Sequence, residues 1–203
     1  RYMIRYPNGS KSLTAIAPKQ EPKEKRVLAS AANRGMDFEF DINQSNTYYR
    51  DNHRALITKR PTPINIVKVD YSRGAHIVDA YFETQSTTDY NGVYKGKYVD
   101  FEAKSCHSKT SFPLHNIYPH QIEHLSMVLE QGGIAFFLIN LVLYDEVYLL
   151  DAKFIIEQYL HGKRKSITFQ DLRKNGHLVP QGYAPRLDYL KTMDEVYFHE
   201  ENS

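Results

Sequence analysis

The alternation of apolar and polar positions divides the chain at residue 33. Residues 1–32 carry Pro7, Pro18 and Pro22 among lysines and show no period, which predicts a flexible basic N-terminal arm. From Asn33 a helical rhythm sets in. In NRGMDFEFDINQSNTYYRDN, Met36, Glu39, Phe40, Asn43 and Thr47 fall on one face, with Asn33 placed as an N-cap. Glu39 is thereby expected on a face that packs inward. Three β-rich runs follow: RALITK (54–59), INIVKVDY (64–71) and HIVDAYFE (76–83). RPTP separates the first two and SRG makes a turn between the others, so a hairpin with an arginine at its tip is expected to project from the body. Asn91-Gly92 and Lys95-Gly96 both read as turn dipeptides.

Further on, YPHQIEHLSMVLEQGG predicts a helix. Pro119 sits in its first turn, Ile122, Leu125 and Leu129 form a stripe, and Gly132 stops it. IAFFLINLVL and EVYLLD read as adjoining strands, the first apolar enough to be buried on both faces. Short helices close the chain, one begun by Thr168 with Asp171 three residues on. Strands flanked by helices predict an α/β domain around a central sheet, residues 33–203 forming a single unit.

At 203 residues the chain is long enough to bury a core, and 41% hydrophobic and 25% charged residues are ordinary for a globular protein. The net charge of +2 hides an uneven distribution. Residues 1–35 hold eight Lys/Arg against Glu21 and Glu24, a balance of +6 that leaves −4 for the rest. Such an arm fits nucleic acid or an acidic partner, and equally a solvated tail. A lone Cys106 excludes an internal disulfide and suits a reducing compartment. The sequence offers no apolar run of membrane-spanning length and no signal-peptide core, so a cytoplasmic protein is expected.

Candidate chemistry concentrates in TTDYNGVYKGKYVDFEAK, residues 87–104. If YVDFEAK is a strand, Val99, Phe101 and Ala103 point one way and Asp100, Glu102 and Lys104 the other. The second set then makes an acid–acid–base row on one surface, and the intervening turn can return Asp89 beside it. Converging carboxylates repel, and a divalent cation relieves the repulsion. Oxygen-only donors favour magnesium, with manganese as a substitute. A lysine beside such an ion adds positive charge without being a ligand. These are the parts of a phosphodiester-cleaving site. The bare acid-x-Lys pattern recurs at Glu21-Pro22-Lys23 and Asp151-Ala152-Lys153, so strand phase and the upstream Asp89 are what distinguish this copy.

Longer motifs narrow the reading. IRYPNG (4–9), NRGMDFE (33–39), PTPINIVKV (61–69), STTDYNGVYKGKYVDFEAK (86–104), KTSFPLHN (109–116), HQIEH (120–124) and GYAPRLDYL (182–190) together resemble the RecU family of Holliday junction resolvases of Gram-positive bacteria. The resemblance implies a restriction-endonuclease-like central mixed β-sheet flanked by helices, with a projecting β stalk at about residues 60–82. It implies a magnesium-dependent homodimer that nicks four-way DNA junctions in recombination and repair, acts at the nucleoid and contacts the RecA recombinase. By position it implies metal ligation by Thr87, Asp89, Glu102 and Gln121, with Lys104 stabilising the transition state and Glu39 supporting the site. Shape recognition should rest on phosphate contacts, for which Arg34, Lys59, Arg60, Lys68, Arg73, Lys95 and Lys97 are the candidates. Tyr71, Tyr81 and Phe82 on the stalk are candidates for stacking on bases, each read first as a core aromatic.

Two other readings compete. HQIEH matches the H-x-x-E-H pattern of a zinc peptidase, with Glu195 as a formal third ligand. A non-catalytic branched-DNA-binding module is the second, against which the intact Asp89, Glu102 and Lys104 argue. Cys106 and His107 are adjacent and point to opposite strand faces, which disfavours them as a nucleophile pair.

Overall fold

The structure, a computed structural model, describes residues 33–83 and 87–198. The expected arm, residues 1–32, lies outside them, as do the side chains of Arg34 and Met36. In chain order the elements are α1 (Asn33–Asp51), β1 (Leu56–Lys59), β2 (Ile64–Asp70), β3 (His76–Phe82), β4 (Tyr90–Tyr94) and β5 (Lys97–Cys106). Then come β6 (Ser111–Pro113), α2 (Pro119–Glu130), β7 (Ile134–Leu141), β8 (Glu146–Asp151) and α3 (Ala152–His161). β9 (Ser166–Thr168), α4 (Phe169–Asn175), β10 (His177–Leu178) and α5 (Tyr189–Tyr197) follow.

Six strands form one mixed sheet in the order β1-β4-β5-β7-β8-β10. β5 and β7 run parallel, joined through α2, and the other neighbours are antiparallel. The period of two in β7 sorts its apolar residues into two cores. Ile134, Phe136 and Leu138 join Phe38, Ile42 and Tyr49 of α1 and Leu190 and Met193 of α5. Ala135, Phe137, Ile139 and Leu141 join Ile122, Leu125 and Val128 of α2, Ile155 of α3 and Leu172 of α4. A strand covered on both faces needs no polar alternation, and this is why IAFFLINL reads as an unbroken apolar run. Each fully buried Leu, Ile or Phe here contributes roughly 1.5–3 kcal/mol before entropy is counted.

α2 begins and ends as its sequence dictates. Pro119 occupies the first turn, where its missing N–H costs nothing, and Gly132 takes φ +77° just past the C-cap. Thr168 caps α4 by accepting from the Asp171 N–H at 3.0 Å.

Four expectations need correction, three of them in α1 and the main sheet. The packed face of α1 is Phe38, Ile42, Ser45, Asn46 and Tyr49; Phe40 is 59% exposed and Thr47 also faces out. The apolar i, i+4, i+11 stripe prevails over the mixed stripe through Glu39. Asn91-Gly92 is not a turn but lies inside β4, paired with β1 and β5. Its glycine is required by close approach, since a Cβ at Gly92 would stand 2.0 Å from the Leu56 carbonyl oxygen. Lys95 and Gly96, with φ +47° and +73°, are the residues that turn the chain between β4 and β5. The acidic row of β5, expected on a surface, is largely buried.

β2 and β3 form their own two-stranded sheet, with a bulge near Lys68. β3 is exposed along its whole length. Tyr71, Tyr81 and Phe82 are 75%, 60% and 79% exposed, so none is the core aromatic first expected.

Candidate active site

β5 is where the chain departs from its own pattern. Val99 and Phe101 enter the core beneath α1 and α5, as β7 does on that side. On the opposite face, where β7 presents Ala135, Phe137 and Ile139, β5 presents Asp100, Glu102 and Lys104. α2 covers much of that face, so these side chains are held in low-dielectric surroundings rather than in water.

Glu102 is 2% exposed. Its Oε1 accepts from Lys104 Nζ at 2.9 Å and its Oε2 from the Asp89 backbone N–H at 3.1 Å. Asp89 Oδ2 in turn accepts from the Ala103 N–H at 3.3 Å. Burial, and then the neighbouring Asp89 carboxylate, push the Glu102 carboxyl up to about 7 against the opposing pull of Lys104. A cavity of about 570 Å³ opens here, lined by Asp89, Glu102, Lys104, Tyr118, His120 and Gln121. A second, of about 220 Å³, is lined by Glu39, Asp89, Lys104 and Ser105. Asp89 and Lys104 belong to both. Gln121 is buried, and its Oε1 accepts from the Tyr118 N–H at 3.1 Å, so the first turn of α2 fixes the amide at the cavity wall. Thr87 is half-buried two residues before Asp89 and lines neither cavity. Glu39 reaches the smaller cavity and forms an ion pair with Lys59.

The donor set suits a hard divalent cation. Two carboxylates and an amide carbonyl are oxygen ligands, the donor type that such an ion prefers.

Asp100, two residues before Glu102 on the same face, has a different task. It is fully buried, and Thr88 Oγ1 and Tyr98 Oη donate to it, the latter at 2.8 Å. His124 Nε2 lies 2.9 Å away and Arg60 Nη2 2.5 Å. Burial alone would raise its carboxyl, but these hydrogen bonds and the Arg60 charge hold it below the ordinary carboxylate value. Arg60 also donates its backbone N–H to the Asp89 carbonyl at 2.7 Å. Asp100 thus ties together the segment carrying Asp89, the helix carrying Gln121 and the base of the hairpin. Sequence reading missed this hub, because its partners lie 12, 24 and 40 residues away.

Of the expected DNA contacts, Lys68, Arg73 and Lys97 stand exposed. Lys95 is exposed and paired with Asp194 at 2.6 Å. Lys59 is held by Glu39, and Arg60 turns inward to Asp100 rather than outward to solvent. The zinc reading fails on geometry: His124 is committed to Asp100, His120 stacks on Tyr118, and Glu195 is exposed on α5. No group of three His, Cys, Asp or Glu is placed to hold a metal ion among the described residues. Cys106 is buried, its thiol pushed up by burial and directed at the Ser111 carbonyl, 3.6 Å away.

The family described as "Recombination protein U", RecU, matches residues 33–195. Proteins named Holliday junction resolvase RecU from Bacillus thuringiensis (strain Al Hakam) and Bacillus mycoides (strain KBAB4) are 50% and 51% identical over 200 residues, covering 96% of this chain and 98% of each relative. The solved structure of Hjc, a Holliday junction resolvase from Archaeoglobus fulgidus, aligns at 12% identity with a TM-score of 0.39, over 66% of this chain and 86% of that one.

Proposed function

This chain belongs to the RecU family, and from that premise we propose that it is a Holliday junction resolvase, a structure-specific endodeoxyribonuclease that hydrolyses phosphodiesters at four-way DNA junctions. The observation that carries the reading is the meeting of Asp89, Glu102 and Lys104 at one cavity, with Glu102 almost fully buried. Asp89 and Glu102 would hold magnesium, or manganese in its place, with Gln121 at the same cavity as a further oxygen donor. The ion supplies Lewis acidity at the phosphate and a more acidic water.

The chain's own groups do the rest. Lys104 Nζ, already oriented by Glu102, would stabilise the negative charge that builds on the phosphorus. Glu102 must give up its proton to serve as a ligand, so a carboxyl poised near 7 makes ion binding favour neutral to alkaline pH. Gln121 keeps one lone pair on the Tyr118 N–H and offers the other to the cavity. The Arg60 backbone bond steadies the Asp89 carbonyl, and Glu39 supports Asp89 across the smaller cavity.

Binding to branched DNA would rest on phosphate contacts by Lys68, Arg73 and Lys97 and on the exposed Tyr71, Tyr81 and Phe82 of the hairpin. Symmetrical cutting of two strands needs two sites, hence a homodimer. Action at the nucleoid and contact with the RecA recombinase complete the proposal. No described helix is long and apolar enough to cross a membrane. The deciding experiment offers a labelled synthetic four-way junction to the protein with magnesium or with EDTA. Paired nicks in opposite strands, abolished by EDTA and by Asp89→Asn without loss of binding, are expected. Binding with no cleavage in magnesium or manganese would instead make the chain a non-catalytic junction-binding module.

A further inference from the structure

The larger cavity has more room, and more aromatic wall, than an ion and a phosphate require. A divalent ion with about six oxygen ligands, each taking roughly 30 Å³ whether it is a water or a phosphate oxygen that displaces one, fills less than half of the 570 Å³. Part of the remaining wall is Tyr118 and His120. Tyr118 immediately precedes α2 and is 58% exposed, yet its ring is held: it stacks on the His120 imidazole with centroids 5.6 Å apart and planes within 8°. Lys104 Nζ lies 5.7 Å from the centre of the same ring.

We propose that Tyr118 and His120 form a stacking shelf for the nucleobase next to the phosphate that is cut. The inference rests on the nuclease reading above and adds a nucleotide subsite to it. Three observations combine. The group assigned to the scissile phosphate, Lys104, lies over the Tyr118 ring with its Nζ 5.7 Å from the ring centre, so a base one nucleotide from that phosphate falls within reach of the shelf. The pair is pre-stacked, so little side-chain freedom remains to be lost when a base extends the stack. Every base has a π-face, and stacking on aromatic side chains tolerates any sequence while favouring the larger rings. The shelf therefore selects for an unstacked or splayed nucleotide, the kind found at a branch point, and biases cutting toward positions where a purine lies on it.

The test is a cycle between protein and substrate. Single-turnover cleavage of a four-way junction is measured at its mapped cut, with wild type and Tyr118→Ala. Each is given intact DNA and DNA with an abasic residue on one or the other side of the cut phosphate. Loss of one stacked base corresponds to about tenfold or more in kcat/KM. The abasic residue on one side and Tyr118→Ala should each cause such a loss, and together no more than either alone. Tyr118→Trp should restore cutting of intact DNA, and His120→Ala should fall between wild type and Tyr118→Ala. Losses that multiply on both sides, or a Tyr118→Ala protein that cuts at the wild-type rate, would overturn the shelf and leave the nuclease reading intact. A wild-type protein that binds the intact junction and never cuts it would remove both. Because Tyr118 is exposed, the variant's unfolding midpoint should match the wild type, and this separates a lost contact from a damaged fold.

Discussion

Replacing Glu102 by glutamine should stop cleavage and yet stabilise the ion-free protein at alkaline pH. Burial, then Asp89, raise the Glu102 carboxyl from 4.5 in an ordinary environment to about 7 in the folded protein. A raised value means that the folded state binds the proton more tightly than the unfolded chain. The stability contributed by that proton is fully present below 4.5 and is lost as pH rises through about 7. At about 1.4 kcal/mol per pH unit, the interval amounts to something on the order of 3 kcal/mol. Glutamine is nearly isosteric with the protonated acid and carries no such dependence. The variant should therefore match wild type near pH 4.5 and exceed it by up to about 3 kcal/mol at pH 8. Urea unfolding of both proteins in EDTA, at several pH values in this range, measures the difference directly and cancels the titrating groups that do not interact with Glu102. A difference independent of pH, or one in which wild type gains on the variant as pH rises, would refute the reasoning.

Lys104→Ala should slow single-turnover cleavage by about a hundredfold or more while the junction Kd shifts little; a loss confined to Kd would make Lys104 a binding residue only. Arg60→Met removes the guanidinium from the buried Asp100 and should cost about 3 kcal/mol in urea unfolding. A cost below about 1 kcal/mol would mean that His124, Thr88 and Tyr98 satisfy Asp100 without it. Arg73→Ala, at the hairpin tip, should weaken junction binding and reduce the slope of log Kd against log salt by about 1, with the rate at saturating enzyme unchanged. An unchanged slope would take Arg73 out of the DNA interface.

Much of the site was legible because strand phase is a strong constraint. Once YVDFEAK is a strand, Glu102 and Lys104 must share a face, and they do. The tight turn at Lys95-Gly96 then returns the chain antiparallel, with Asp89 just before β4 beside Glu102. The burial of that face was not legible. A row of charges reads as surface unless its cover is known, and the cover is α2, which crosses between β5 and β7 only because those strands are parallel. Asn91-Gly92 misled for a related reason: glycine serves a turn or a close backbone approach equally well, and only the neighbouring β1 tells which. In α1, Glu39 and Phe40 offered a plausible stripe, but three-dimensional packing chose Phe38 and Ile42. Arg60 looked like one more basic residue of a DNA-binding segment, and nothing local marks it as the partner of a buried aspartate 40 positions on. Tyr118 left no trace in the periodicity, since an exposed aromatic beside a proline belongs to no apolar stripe.

Anomalous diffraction from manganese-soaked crystals of the protein on a four-way junction interrogates the proposed cation pocket itself, independently of any rate. The expected map has a peak in direct contact with carboxylate oxygens of both Asp89 and Glu102, with Lys104 Nζ turned toward a phosphate and away from the ion. A map with no peak at these two acids, while the junction occupies the same cavity, would contradict the assignment of Asp89 and Glu102 as the residues that hold the metal for DNA cleavage.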